Sequence, residues 1–452
     1  MRQKRLYLLL FSIIMVLGLH ACSKSYDVSQ DSNEQGSRQE STQTPEPTPE
    51  PTPVPEPDPF DETIWEGKNE EYKEMIKNSF MMAGNNYRVK KAIEKAKSGE
   101  EVTIGFIGGS ITEGYNSTNI STGYAYLAYE YFKETYGVAD KDNVKYINAG
   151  MSGTPSTLGM IRYKRDILDP LEGSSPDILF VEFAVNDGDD PTNGQAFESL
   201  VLNALQAEDK PAVVLLFAVF QSQWNLQDRL QFVGYRHEIP MISIKNAIIP
   251  EIEAGRITNK EFFADEYHPT DYGHSIMADC IKYYLSTVNS EPIADEDIDI
   301  TDDEIAIGDA YVKIKMLDSS TSDPNILVNP GSFTDTDTTL GTFRHSPNTK
   351  TFPNNWKHGA SSGNDRFVMN INCKNLLLVY KSSSQASFGR AEVYVDGELV
   401  KTVYSNQGGG WNNPYTILLF KEDTASMHNI EIKMAEGDED KEFSILAFGY
   451  TQ

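Results

Sequence analysis

Short, continuous apolar runs recur between residues 102 and 246, and stretches with helical spacing separate them. Runs of this length without polar alternation are typical of strands that are buried on both faces. Strands that alternate with helices predict an α/β domain over 62–290, with a parallel sheet covered by helices on both faces. The predicted strands are 102–108, 144–150, 177–187, 211–220 and 241–246, and the clearest predicted helices are 122–137 and 271–288.

The hydrophobic period changes to two after residue 310, and no long amphipathic helix follows. Successive strand-like runs occur here, and Asp396-Gly397 between two of them is a hairpin signal. The pattern predicts an all-β sandwich of jelly-roll type over 311–452. Residues 291–310 are acidic and contain no Lys or Arg, which indicates a solvated linker or edge segment between the two domains.

The N-terminus has the features of an export signal. Basic residues at positions 2, 4 and 5 precede an apolar stretch that is too short for a typical membrane span, and LHAC follows at 19–22. Residues 1–22 resemble a bacterial lipoprotein signal, in which Cys22 is lipidated and becomes the first residue. An ordinary signal peptide and an uncleaved anchor are the alternatives. All three predict an exported protein, and the first tethers it to the outside of the cell membrane through lipid alone.

A polar segment separates the export signal from the predicted α/β domain. Residues 23–43 are rich in Ser, Gln, Asp and Glu, and proline occupies every second position over 44–59. Such a sequence forms neither helix nor sheet ladders. At ~3.1 Å per residue in a polyproline helix, residues 44–59 would reach roughly 50 Å. We therefore expect a disordered, proline-rich linker over 23–61 that acts as a stalk.

Charge and cysteine content exclude several function classes. The formal net charge is -28, which argues against nucleic acid as a partner because phosphate binding needs clustered Lys and Arg. Cys280 and Cys373 fall in different predicted domains, and no paired Cys or His spacing indicates a zinc site. We expect no disulfide framework, no metal and no other cofactor. The sequence leaves the oligomeric state open.

Polar residues and glycines follow three of the predicted strands and precede the last helix. Ligands of parallel sheets bind at the carboxyl ends of the strands, so we expect these residues to meet. Ser110 could attack an ester, His268 could take its proton, and Asp265 could orient the imidazole. The backbone N–H groups of Ser110 and Gly153 and the side-chain amide of Asn186 could form an oxyanion hole.

Each of these residues also has an ordinary structural explanation. A Gly-Gly-Ser at a strand end can be a turn, Asn186 or Thr270 can cap a helix, and His268 can be a surface histidine. Their joint occurrence in chain order favours a hydrolase. Two competing sites fit less well. Ser152 lacks the second glycine of a nucleophile elbow, and a metal site on His268 and His274 has no evident third ligand.

Four short blocks over about residues 100–290 resemble the SGNH hydrolase superfamily, also called GDSL esterases. They are GGSIT at 108–112, NAGMSGT at 148–154, AVND at 184–187 and DEYHP at 265–269. The resemblance implies a flavodoxin-like three-layer fold and a metal-free serine esterase. It implies the roles given above for Ser110, Gly153, Asn186, Asp265 and His268. The chain departs from the common pattern at Gly109, Ile111 and Ala184, yet it retains all four catalytic residue types.

The substrate has to be argued from export and from the second domain. An exported enzyme meets extracellular substrates, and related esterases often use a β-sandwich to bind glycans. Trp356, Trp411 and Tyr415 lie in polar, glycine-rich stretches; they suit sugar faces, or they plug the ends of the sandwich. We therefore expect an esterase that removes O-acetyl or other short acyl groups from an acetylated polysaccharide or oligosaccharide through an acyl-enzyme on Ser110. A lipid or lysophospholipid acylhydrolase and a non-catalytic glycan-binding lipoprotein are the alternatives.

Overall fold

The computed structural model describes residues 65–138, 140–301 and 304–452. The predicted signal peptide, the lipidation site at Cys22 and the predicted linker over 23–61 lie outside the described residues.

The first domain is built on one sheet. Its strands are β1 Phe80–Met82, β2 Val102–Gly108, β3 Val144–Gly150, β4 Ile178–Glu182, β5 Ala212–Phe217 and β6 Met241–Ser243. They lie in the order β1-β6-β5-β4-β2-β3. All neighbours are parallel except β1, which pairs antiparallel with β6 at one edge. The edge strand was not predicted, since three residues are too few to show a period.

Helices cover both faces of this sheet. They are α1 Glu70–Lys77, α2 Tyr87–Ser98, α3 Ser110–Glu113, α4 Tyr124–Tyr136, α5 Ser156–Tyr163, α6 Gln195–Leu205, α7 Gln227–Arg236, α8 Ile244–Glu253, α9 Asn259–Phe262 and α10 Asp271–Ser290. In β4, Ile178 and Phe180 belong to one hydrophobic cluster, and Leu179 and Val181 belong to another. Since side chains alternate along a strand, the two clusters lie on opposite faces. This confirms the predicted α/β fold.

Three predicted strands are shorter than expected: 177–187 is Ile178–Glu182, 211–220 is Ala212–Phe217 and 241–246 is Met241–Ser243. For the third, the local reason is clear. The predicted strand 241–246 ends at Ser243, whose side chain accepts the backbone N–H of Asn246 at 3.0 Å. Serine at this position caps a helix, because its hydroxyl satisfies an N–H that has no partner within the helix. The chain therefore turns directly from β6 into α8.

The second domain is all-β, as predicted. Its strands are β7 Lys315–Leu317, β8 Leu327–Asn329, β9 Thr342–Phe343, β10 Ser346–Lys350, β11 Trp356–His358, β12 Phe367–Ser383, β13 Arg390–Val395, β14 Glu398–Tyr404, β15 Trp411–Met434 and β16 Phe443–Thr451. All of the strand pairs are antiparallel. Asp396 and Gly397 join β13 to β14 with φ values of 53° and 87°, as a tight hairpin turn requires.

The sheet of the second domain folds over itself. Phe448 of β16 pairs with Leu378 of β12, and Phe367 lies eleven residues before Leu378 in the same strand. In a flat strand that separation would be roughly 36 Å at about 3.3 Å per residue. The rings of Phe367 and Phe448 are nevertheless stacked, with centroids 5.8 Å apart. The long strands, interrupted by bulges such as the one between Cys373 and Asn375, therefore bend to enclose a sandwich core.

The two domains share a continuous hydrophobic core. Leu377 of β12 and Leu446 of β16 belong to the same cluster as Leu158 and Ile161 of α5. The contact is close, since a Cβ on Gly449 would lie 2.6 Å from Ile161. A fixed contact of this kind holds the sandwich against the α/β domain.

The acidic segment after α10 packs on the α/β domain. Asp297 pairs with the buried Arg88 at 2.7 Å, and Ile298 is buried. Further along, the backbone N–H groups of Ala306 and Gly308 donate to the buried carboxylate of Glu198 at 2.8 and 2.7 Å. These contacts anchor the segment to the α/β domain, whereas its Asp295, Glu296 and Asp309 are exposed to solvent.

Cys280 lies buried in α10 and Cys373 lies buried in β12, and neither is in a disulfide. Among the residues that the structure describes, no helix combines the length and the apolar character needed to cross a membrane.

Candidate active site

Ser110, His268 and Asp265 form a continuous chain of hydrogen bonds. Ser110 Oγ lies 2.9 Å from His268 Nε2. His268 Nδ1 lies 2.9 Å from both carboxylate oxygens of Asp265. Because a carboxylate only accepts, the proton is on Nδ1, and Nε2 can accept the proton of the serine hydroxyl. This is the arrangement in which a hydroxyl can become a nucleophile.

The position of Ser110 follows from the turn between β2 and α3. Ser110 is the first residue of α3, and the first N–H groups of a helix have no acceptor within it, so the Ser110 N–H is available to a ligand. Gly109 precedes it, and a Cβ there would lie 2.2 Å from Asn186 Oδ1. The absence of a side chain at 109 therefore lets Asn186 approach the serine.

Asp265 is held in place by three donors besides the imidazole. The backbone N–H groups of Tyr267 and His268 each donate to Oδ1 at 2.8 Å, and Asn116 Nδ2 donates to Oδ2 at 2.7 Å. Burial raises the pKa of Asp265, but the hydrogen bonds from His268 and Tyr267 outweigh it, so the pKa lies below its usual value. The carboxylate therefore stays ionised while it orients His268.

Asn116 was not predicted as a site residue. It lies six residues after Ser110, and its backbone has a φ of 62°, a left-handed conformation that asparagine adopts more often than most residues. The Asn-Ser-Thr sequon that begins at Asn116 gives no information about catalysis. Its contact with Asp265 arises only because the fold brings two distant loops together.

The residues predicted for the oxyanion hole share one cavity with the serine and the histidine. Ser110, Gly153, Asn186 and His268 line a space of about 580 Å³, which is within the usual range for small-molecule sites. Gly153 has a φ of +66°, where a side chain would be strained. Asn186 Oδ1 is buried without a hydrogen-bond partner. The structure thus brings together every residue predicted for catalysis.

The ordinary structural explanations apply to neighbouring residues instead. Thr270 Oγ1 accepts a backbone N–H at 3.0 Å and begins α10. Asp187 accepts the N–H and the hydroxyl of Ser156 at 2.7 and 2.8 Å at the start of α5. His274 is buried on α10, and burial lowers its pKa to about 4. The described residues include no group of three or more His, Cys, Asp or Glu side chains placed to hold a metal ion.

The β-sandwich completes the cavity. Phe343, Arg344, Trp411 and Asn412 all belong to its wall. Trp411 is 54% exposed and lies over Gly153, where a Cβ would come within 3.0 Å of Trp411 Cζ2. The second domain therefore contributes directly to the space around Ser110, a point that the sequence left open.

Glu113 joins the two domains beside Gly153. One carboxylate oxygen accepts the N–H and the hydroxyl of Ser152 at 2.8 and 2.5 Å, and the other accepts the backbone N–H of Arg344 at 3.0 Å. The Arg344 guanidinium donates in turn to the carbonyl oxygen of Ser117 at 2.9 Å. The Ser152 hydroxyl is therefore engaged by a carboxylate, and the loop that carries Gly153 is fixed from both domains.

The three aromatic residues that were predicted to contact glycan lie in different environments. Trp356 is only 8% exposed, and its ring packs 5.2 Å from Phe367 in the sandwich core. The prediction for Trp356 is therefore corrected, because its faces are used in packing. Tyr415 is half-buried against Tyr380, with ring centroids 5.7 Å apart. Trp411 alone of the three lines the cavity.

Glu182 is a buried carboxyl group beside the Ser110 loop. It ends β4, and its Oε2 accepts the hydroxyl of Thr112 at 2.9 Å. Burial raises its pKa to about 7, although hydrogen bonds from Thr112 and from the backbone of Gly109 partly oppose the shift.

We expect the free energy of unfolding to fall less between pH 5 and pH 7 in Glu182→Gln than in the wild type. The folded-state pKa of about 7 exceeds the ordinary value of 4.5, so in this window the folded protein keeps a proton that the unfolded chain releases. The free energy of unfolding therefore falls by roughly 2 kcal/mol between pH 5 and pH 7. Urea unfolding of both proteins at the two pH values measures the difference. Equal losses in wild type and variant would contradict the assignment.

The α/β domain matches a known protein family. Residues 106–276 match the GDSL-like Lipase/Acylhydrolase family. This part of the chain is a GDSL-like lipase/acylhydrolase domain. The match begins within β2 and ends within α10, and it includes all four sequence blocks. The resemblance found in the sequence is therefore confirmed.

Two crystal structures resemble this chain over both domains. One is a two-domain esterase (CEX) active on acetylated mannans; it is 28% identical with a TM-score of 0.72, over 83% of this chain and 99% of that chain. The other is such an esterase co-crystallised with mannopentaose; it is 28% identical with a TM-score of 0.71, over 83% and 98%. Curated proteins gave no significant match. The comparisons confirm a GDSL-like domain followed by an all-β domain, and the protein is a carboxylic ester hydrolase.

Proposed function

We propose that this protein removes O-acetyl groups from extracellular carbohydrate, with acetylated mannan as the first substrate to test. The observation that carries the proposal is the Ser110–His268–Asp265 hydrogen-bond chain in a cavity that both domains line. The two-domain esterase that resembles this chain over both domains acts on acetylated mannans. Carbohydrate is a substrate class that such a cavity, open and walled in part by aromatic rings, can accept.

The geometry supports a two-step reaction. His268 Nε2 takes the proton of Ser110 as Oγ attacks the acetyl carbonyl, and the N–H groups of Ser110 and Gly153 with the Asn186 amide stabilise the oxyanion. The carbon–oxygen bond to the sugar then breaks, and His268 returns the proton to the leaving sugar hydroxyl. Water, deprotonated by His268, attacks the acetyl-serine and releases acetate and free Ser110.

The preferred length of the acyl group distinguishes a carbohydrate acetylesterase from a lipid acylhydrolase. We expect the full chain to hydrolyse an aryl acetate and to release acetate from acetylated mannan. We expect at least about tenfold slower hydrolysis of the matching aryl octanoate. Faster cleavage of octanoate, or release of fatty acid from a lysophospholipid, would favour a lipid acylhydrolase instead. Failure to hydrolyse any ester would support a non-catalytic glycan-binding protein.

We further propose that Cys22 is lipidated and holds the enzyme at the outer side of the bacterial membrane. The support is the sequence alone, with a basic start, an apolar stretch and LHAC at 19–22. We expect Cys22→Ala to abolish incorporation of radioactive palmitate. We also expect it to move the protein from the membrane fraction to the soluble fraction, because stable anchoring requires the acyl chains. Unchanged labelling would exclude Cys22 as the acceptor.

A further inference from the structure

Three aromatic rings in contact form a ridge beside His268. Trp224 stacks on Phe220 with ring centroids 5.8 Å apart. Phe220 meets Tyr267 edge to face at 5.1 Å, and Tyr267 lies 6.1 Å from the imidazole of His268. Phe220 and Tyr267 line the cavity, and Trp224 continues from them. We call Phe220, Trp224 and Tyr267 the aromatic ridge.

The ridge presents aromatic surface to solvent. Trp224 is 39% exposed and Tyr267 is 50% exposed. Single exposed aromatic residues are ordinary, but rings that touch one another at the mouth of a cavity mark an interaction surface. Because the ridge is continuous with the cavity, a molecule that lies on the ridge can also reach Ser110.

The loop that carries Trp224 is held rigidly. The N–H of Phe220 donates to the carbonyl of Trp224 at 3.1 Å, and the N–H of Gln221 donates to the carbonyl of Glu266 at 3.1 Å. Asn225 Nδ2 donates to the carbonyl of Ala218 at 2.8 Å. A surface held in place before binding loses less conformational freedom when it binds, so the ridge is suited to recognition.

Trp224 also packs against the loop that carries Asn186. A Cβ on Gly188 would lie 3.0 Å from the Trp224 ring, just as one on Gly153 would lie 3.0 Å from the Trp411 ring. Each indole therefore rests on a loop that carries a proposed oxyanion donor. A substrate whose acetyl carbonyl reaches these donors has the rest of its structure close to one of the two rings.

We propose that Trp224, supported by Phe220 and Tyr267, is a platform for a sugar unit of the polysaccharide chain next to the acetylated unit. The inference rests on the proposed carbohydrate esterase function. A pyranose ring has an apolar C–H face that fits a flat, exposed indole, and its hydroxyl groups remain in water. A fatty acyl chain would instead gain most from an enclosed groove, because its burial is what stabilises binding.

Substitution of Trp224 tests the platform. We expect Trp224→Ala to lower kcat/KM for acetylated mannopentaose at least about tenfold more than it lowers kcat/KM for an aryl acetate. Phe232→Ala is the matched control, because Phe232 is 57% exposed on α7 and is not part of the cavity wall. Its kinetics should equal those of the wild type with both substrates.

Other results would overturn the platform. Equal losses on both substrates would make Trp224 a structural support for the Asn186 loop, and no loss on either would leave it without a role. A loss confined to an aryl octanoate would identify an acyl-binding surface. If the wild type does not cleave acetylated mannopentaose, mannan is excluded as the substrate of the proposed function. Calorimetric titration of unacetylated mannopentaose into wild type and Trp224→Ala then tests the platform separately. The platform requires that the wild type binds this oligosaccharide and that the variant binds it at least about tenfold more weakly.

Discussion

Ser110→Ala is expected to lower kcat for an aryl acetate by at least about 10⁴-fold while the protein remains folded. The hydroxyl that lies 2.9 Å from His268 Nε2 is lost, and water cannot replace it as a covalent nucleophile without a comparable fixed position. Removal of one hydroxyl from a partly buried position has little effect on packing. The measurement is steady-state hydrolysis, together with thermal unfolding of both proteins.

Ser152→Ala is the matched control for this experiment. Ser152 lines the same cavity, but its hydroxyl donates to Glu113 at 2.5 Å and is not the partner of His268. We expect the control to lose less than about tenfold in kcat, because the Ser152 hydroxyl takes no part in the reaction. A larger loss for Ser152→Ala than for Ser110→Ala would show that Ser110 is not the nucleophile. Accumulation of an acetylated peptide that contains Ser110 after rapid quenching would show the covalent step directly.

Asn186→Ala is expected to lower kcat by about 10²–10³-fold with little change in KM. Loss of a single oxyanion donor has an effect of this size, since the donor acts most strongly when negative charge develops on the carbonyl oxygen. The side chain is already positioned against Gly109, where no Cβ interferes. Its Oδ1 has no hydrogen-bond partner in the folded protein, so truncation leaves few groups unsatisfied.

The split between kcat and KM decides what Asn186 does. An increase in KM with unchanged kcat would mean that the amide binds ground-state substrate only. A large fall in the unfolding temperature would mean that the side chain supports the loop. Asn116→Ala gives a useful comparison, because Asn116 donates to Asp265 at 2.7 Å rather than to the substrate. We expect it to cause a smaller loss than Asn186→Ala.

The sequence by itself determined the α/β sheet and the residues at its edge. Buried parallel strands such as β2 and β4 are continuous apolar runs, and their carboxyl ends meet at one edge, so the polar residues that follow can be placed without coordinates. The same local logic identified the hairpin at Asp396-Gly397, where both residues adopt positive φ. These features depend on periodicity and turn chemistry, which are properties of neighbouring residues.

Contacts between distant segments were decided only by the tertiary structure. Trp356 and Trp411 occur in similar polar stretches, yet one packs on Phe367 in the core and the other lies over Gly153 in the cavity. Whether an aromatic ring packs in the core or lines the cavity depends on how β11 and β15 are placed in the folded sheet. Local sequence carries no information about that placement.

The closure of the active site by the second domain is the clearest case. The bond between Glu113 and the backbone of Arg344 joins residues 231 positions apart, and no spacing rule predicts a partner so far along the chain. Such a contact forms because the domains bury a shared hydrophobic core, which fixes the sandwich at one orientation. The sequence determined which groups can perform ester hydrolysis, and the packing of the two domains decided the shape of the space in which they act.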